Sequence, residues 1–76
     1  MEEVLEFIAR SVVEKPDKVE VNAHQSERGT VLELSVDPDD LGRVIGKSGR
    51  VAKATRSVMK AIAMRRGERV MIEILS

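Results

Sequence analysis

Gly46 and Gly49 bracket a lysine and a serine, and Arg43, Arg50 and Lys53 lie close by in the chain. Glycine permits a sharp turn and lets a foreign backbone approach without a side-chain clash. If two helices meet here, the second turns its free amides and positive dipole end toward whatever sits over Gly46-Lys47-Ser48-Gly49. Lys47 adds a mobile positive charge at the tip. Such a set is suited to a sugar–phosphate chain: amides and Lys47 for the phosphates, and Arg43, Arg50 and Lys53 for longer-range attraction. On its own, the same turn serves equally as a plain corner between helices with solvated cations.

Other chemistries fit less well. The run from Gly42 to Ser48 falls short of the nucleotide-binding pattern G-x-x-x-x-G-K-[ST], because only three residues separate its glycines and a helix rather than a strand precedes it. Asp37-Pro38-Asp39-Asp40-Leu41-Gly42 imitates the opening of a calcium loop, but Leu41 occupies a ligand position and Ser48 stands where a bidentate glutamate belongs. Ser48 has no base nearby in the chain for nucleophilic catalysis, and His24, the single histidine, reads as a surface residue beside a hairpin loop. Cysteine is absent, which removes disulfides, thiolate catalysis and zinc fingers together and suits a reducing compartment. The expectation is a binding protein, not an enzyme, with no cofactor and no metal.

Hydrophobic spacing supplies the elements that must hold the turn in place. Val4, Leu5, Ile8 and Val12 recur at helical intervals from Glu2 to about Lys15, with Glu2, Glu3 and Glu6 at the end where the dipole favours anions, and Pro16 stops the helix. Val19, Val21 and Ala23 alternate with polar residues as in a half-buried strand; Gln25 to Gly29 is a polar hairpin loop; Leu32, Leu34 and Val36 alternate in a second strand. Asp37-Pro38 opens a short helix, with Asp37 accepting from free amides and Pro38 at the first helical position. A longer helix runs from about Arg50 to Arg66 and ends at Gly67. Val70, Ile72 and Ile74 mark a third strand. The order is α-β-β-α-α-β in one domain over residues 1–76. A short loop makes the first two strands antiparallel, and the crossover makes the second and third parallel, with the helices on one face. The other face, bearing Glu20, Asn22, Glu33, Ser35 and Glu73, is expected to be polar and acidic.

Seventy-six residues bury only about 60% of the unfolded surface, so the core is thin. No apolar run approaches the roughly 20 residues of a membrane helix, and the acidic start does not suit a signal peptide; no membrane partner is expected. Net charge is zero, yet Met1–Gly42 holds 4 basic and 11 acidic residues whereas 43–76 holds 9 basic and 2 acidic. A split of −7 against +7 points to an acidic partner such as nucleic acid on one side of the molecule. On the long helix, Ala52, Thr55, Met59 and Ile62 form one stripe with Val51 and Val58 beside it. So thin a core leaves those valines either part of a wide buried face or a surface for self-association.

Motif, element order and length together resemble a known family. Val44-Ile45-Gly46-Lys47-Ser48-Gly49-Arg50 resembles the VIGxxG signature of KH domains, which clamp single-stranded nucleic acid over a GxxG loop. The element order resembles the type II KH arrangement, an α+β fold with a three-stranded mixed sheet. In length and layout the chain is similar to the stand-alone bacterial KhpA-like RNA-binding proteins. The resemblance implies a groove for about four nucleotides between Val44, Ile45 and Ala52 and the strand near Val70 to Ile72. It also implies single-stranded RNA as partner and a cytoplasmic location. RNA chaperoning or post-transcriptional control would follow, linked to cell-wall biogenesis and cell shape, with pairing as a homodimer or with a KhpB (Jag)-type KH protein. The usual signature places large aliphatics three and six residues after the second glycine. Here those positions hold Ala52 and Thr55, so the floor is expected to be shallower or filled by Val51, Val58 and Met59.

Overall fold

Leu5, Leu32 and Met59 are sealed from solvent at the centre of the computed structural model, which describes residues 1–75. One residue each from the first helix, the central strand and the long helix meet there because each periodic apolar stripe has to be buried against another. The elements are α1 (Glu2–Val12), β1 (Glu20–Ser26), β2 (Gly29–Ser35), α2 (Leu41–Ile45), α3 (Arg50–Arg65) and β3 (Val70–Ile74), with one-turn 3-10 segments at Pro16–Lys18, Pro38–Asp40 and Lys47–Gly49. The sheet order is β1-β2-β3. β1 pairs antiparallel with β2, Val21 opposite Leu34, and β2 pairs parallel with β3, Leu32 opposite Ile72. Leu32, Leu34, Ile72 and Ile74 therefore share the face that packs on Leu5, Ala9 and Met59. This is the mixed three-stranded sheet with helices on one face that the connections dictate.

Several boundaries differ from the sequence expectation, each for a local reason. α1 stops at Val12 rather than near Lys15, because the amides of Glu14 and Lys15 donate to the Asp40 carboxylate, at 3.1 and 3.0 Å, instead of extending the helix. The hairpin loop is shorter than Gln25–Gly29: Ser26 pairs with Gly29, leaving Glu27 and Arg28 as the turn. The Ser26 hydroxyl draws it tight by donating to the Gly29 carbonyl (3.0 Å) and accepting from the Arg28 amide (3.2 Å). His24 consequently lies within β1, with Nε2 3.5 Å from Glu33 across the strands. The outer sheet face is less uniformly polar than its charged residues suggest. Val31, between His24 and Met71 in the register, is buried on it.

The other two helix ends form as their sequences dictate. Asp37 caps the Pro38–Asp40 turn by accepting from the Asp39 amide at 2.9 Å. At the end of α3 the Glu68 amide donates to the Ala63 carbonyl (2.8 Å) and the Gly67 amide to Met64 (3.2 Å), the paired bonds of a Schellman closure. No helix among the described residues is long and apolar enough to cross a membrane.

Candidate nucleic-acid interface

The Gly46–Gly49 corner is built by backbone angles that few residues adopt. Gly46 sits at φ 76°, ψ 173°, a region populated essentially by glycine alone. A β-carbon there would lie 2.4 Å from Val51 Cγ2 and 2.8 Å from the Val51 amide nitrogen. Gly46 thus answers two demands at once: the angle, and the close approach of the incoming chain to the start of α3. Ser48 (φ 56°, ψ 27°) and Gly49 (φ 75°, ψ 14°) follow in the left-handed region and swing the chain into α3. No side chain caps that helix; the Arg50 amide donates to the Lys47 carbonyl, and the positive dipole end of the first turn faces the corner, where it favours an anion.

Lys47, Ser48, Arg50 and Lys53 are exposed around this corner, and Gly46 and Gly49 are half-buried. Among the described residues the ion pairs involve Arg10, Lys15, His24, Arg43, Arg66 and the N-terminus; Lys47, Arg50 and Lys53 take part in none. Arg43 stands apart from the other expected contacts. Its guanidinium pairs with Glu14 and lies 3.5 Å from the buried Asp40, so its charge is already answered within the fold. Val44 is buried and Ile45 is partly exposed, which leaves only the second of these aliphatics presented to a ligand.

The cleft beside β3 differs from the expected groove in its helical wall. Val44 and Ala52 are buried, and the open cleft at Val70–Ile72, about 320 Å³, is walled instead by Arg56, Met59 and Lys60 of α3. The small side chains at Ala52 and Thr55 do not deepen it. They border Ile8 and Val12 of α1 in the interior, where the remaining space is about 10 Å³ and purely apolar, too little to hold a water. The Thr55 hydroxyl donates to the Val51 carbonyl at 2.8 Å within α3. Val51 and Val58 fall on the opposite flank of α3, with Ala54 and Thr55, facing Ile8, and nearly half of Val58 is exposed.

Lys53, Arg56 and Lys60 recur every three or four residues, so one flank of α3 is a line of cations leading away from the glycine corner, while Arg50 borders the apolar flank. That spacing was readable in the sequence. The role of Asp40 was not: it is the buried tie between the segment after α1 and the base of α2, and nothing in its local sequence distinguishes it from Asp39. Among the described residues no group of three or more His, Asp or Glu gathers as a metal site.

A three-stranded mixed sheet covered on one face, with a glycine corner between two helices of the crossover, is the type II KH arrangement. The model of the KhpA/KhpB KH domain matches residues 2–74, and the chain belongs to that family. It is 49% identical over 75 residues to the RNA-binding protein KhpA of Clostridium perfringens, covering 99% of this chain and 100% of that one. To the RNA-binding protein KhpA of Aquifex aeolicus it is 44% identical, covering 99% and 95%. The family is one of RNA-binding KH proteins, not of enzymes. Among solved structures the chain is similar to part of Era in complex with MgGDPNP and nucleotides 1506–1542 of 16S ribosomal RNA. The TM-score is 0.53 with 23% identity over 96% of this chain, which spans 28% of the Era chain; at that identity the likeness is one of fold.

Proposed function

We propose that this chain binds single-stranded RNA by clamping its phosphates over Gly46-Lys47-Ser48-Gly49, with Arg50 and Lys53 adding longer-range attraction and the cleft beside β3 receiving bases. One observation carries the reading: Lys47 is exposed and unpaired among the described residues, at the tip of a corner whose glycine angles bring it beside the uncapped start of α3. The names of its KhpA relatives support RNA over other acidic partners. Work as an RNA chaperone or post-transcriptional regulator in the cytoplasm is consistent with this chemistry.

Affinity of one copy is weak on physical grounds. Phe7 is the only aromatic residue and stands on α1, so the cleft lacks aromatic stacking, which is worth about 1–3 kcal/mol per base where it occurs. A second copy would restore affinity through avidity. The largely apolar flank formed by Ile8, Val51, Ala54, Thr55 and Val58, with Arg50 at its edge, supports self-association on the side of α3 away from Arg56 and Lys60; a KhpB-type KH protein would compete for the same flank. The same flank is what a purely protein-binding module would use, and RNA binding separates the two readings.

Titration of a short single-stranded RNA at several salt concentrations tests the clamp. Neutralising two to four phosphates gives a log–log slope of about −1.4 to −2.8, and Lys47→Asp is expected to weaken binding at least tenfold. Unchanged affinity in a folded Lys47→Asp protein overturns the clamp. Gly46→Asp is the poorer probe, because its β-carbon collides with Val51 and confounds folding with binding.

A further inference from the structure

The cations of the long helix do not end at the groove. Beyond it, where α3 closes and β3 begins, lies a second cleft of about 430 Å³ walled by Arg28, Lys60 and Arg69, with Met64, Val70 and Met71 as apolar lining. Lys60, Val70 and Met71 also line the groove beside β3, so the two clefts are continuous. Arg28 comes from the β1–β2 turn and is brought there by a backbone tie: the Thr30 amide donates to the Arg69 carbonyl at 2.9 Å. The lining holds three cations against one carboxylate, Glu68, and neither Arg28, Lys60 nor Arg69 has an ion-pair partner among the described residues. Met64, a large apolar residue in the last full turn of α3, is 70% exposed. Soft methionine side chains accept flat apolar partners, and guanidinium groups match phosphate geometry.

We propose that this cleft is a second nucleotide subsite, which takes the RNA segment flanking the four nucleotides held at the Gly46–Gly49 corner. The proposal rests on the RNA-binding reading above and extends its footprint. Distances along α3 agree with it. At about 1.5 Å per residue, Lys60 lies roughly 15 Å along the helix from Arg50. A strand that leaves the Gly46–Gly49 corner along Lys53 and Arg56 therefore meets Lys60 and the second cleft next. There the arginines meet phosphates while Met64 and Met71 support a base.

Fluorescence anisotropy with oligouridine of four, six, eight and ten nucleotides tests the subsite in the full chain. Arg28→Gln with Arg69→Gln is expected to change four-nucleotide affinity less than twofold and to weaken eight-nucleotide binding about tenfold. Equal loss at both lengths, which general electrostatics produces, or no loss at either, overturns the subsite. Arg28→Gln alone, at the exposed hairpin turn, repeats the measurement should the double variant fold poorly. The two readings fail differently. Absence of binding by the unaltered protein at every length removes both, whereas Lys47-dependent binding of four nucleotides with no effect of Arg28 and Arg69 removes only the second subsite.

Discussion

A carboxylate taken out of water is costly unless its oxygens are fully partnered, and Asp40, 2% exposed, satisfies that condition. Each oxygen accepts one backbone amide from the segment after α1, and the Arg43 guanidinium lies against it. The residue sits immediately before α2, so the tie fixes the base of the helix that leads into the glycine corner. Asp40→Asn keeps the shape but turns an NH₂ donor toward an amide donor, leaving one pair unsatisfied. Stability is expected to fall by about 2 kcal/mol, read as a lower urea midpoint with an unchanged slope. A wild-type midpoint in the variant would show that the amides find other partners. The same network explains why Arg43 is a poorer candidate for RNA contact than Lys47.

At the scale of the element, the short α2 relies on its entry turn, since five residues are too few for a helix to stand alone. Asp37 caps that turn, and the Asp39 amide, with the Lys15 ammonium beside it, holds its carboxyl below the ordinary value. Lys15 in turn is held above its ordinary value, chiefly by its hydrogen bond to Asp39 and then by the charge of Asp37. A depressed carboxyl contributes stability that is present above its unfolded pKa and is lost as pH falls through the folded one. Asp37→Ala is therefore expected to lower the urea midpoint at pH 7, and the gap from wild type is expected to close below about pH 4. A gap that stays constant down to pH 2.5 would remove Asp37 from the acid response.

Viewed as a whole, the molecule places its two kinds of surface on opposite flanks of α3. Lys53, Arg56 and Lys60 line one, continuing to Arg69 and Arg28; Val51, Ala54 and Val58 line the other, next to Ile8, with Arg50 at its edge. Glu20, Glu33 and Glu73 lie on the outer sheet face, so zero net charge conceals a strongly dipolar surface that steers an anionic strand toward the helices. A dimer formed through Val51, Ala54 and Val58, as proposed above, would leave Lys53, Arg56 and Lys60 open. Val58→Glu is expected to convert a reversible dimer into a monomer in sedimentation equilibrium at high protein concentration, while four-nucleotide RNA affinity stays within twofold. A wild-type protein that sediments as a monomer at every concentration overturns the dimer surface.

Period and punctuation alone determined most of the architecture. Alternation at Leu32, Leu34, Ile72 and Ile74 set the sheet's inner face, Asp37-Pro38 and Gly67 set helix ends, and the strand connections set the pairing directions, because local sterics and connection rules act over a few residues. The glycine corner was likewise legible, since left-handed backbone has a residue signature. Tertiary structure alone decided three matters that depend on residues far apart in the chain. Asp40 reaches back some 25 residues to end α1 early, Arg43 spends its charge on Glu14 and Asp40, and the small Ala52 and Thr55 admit α1 rather than opening a groove. Burial and charge compensation are properties of neighbours in space, and no spacing along the chain records which neighbours those are.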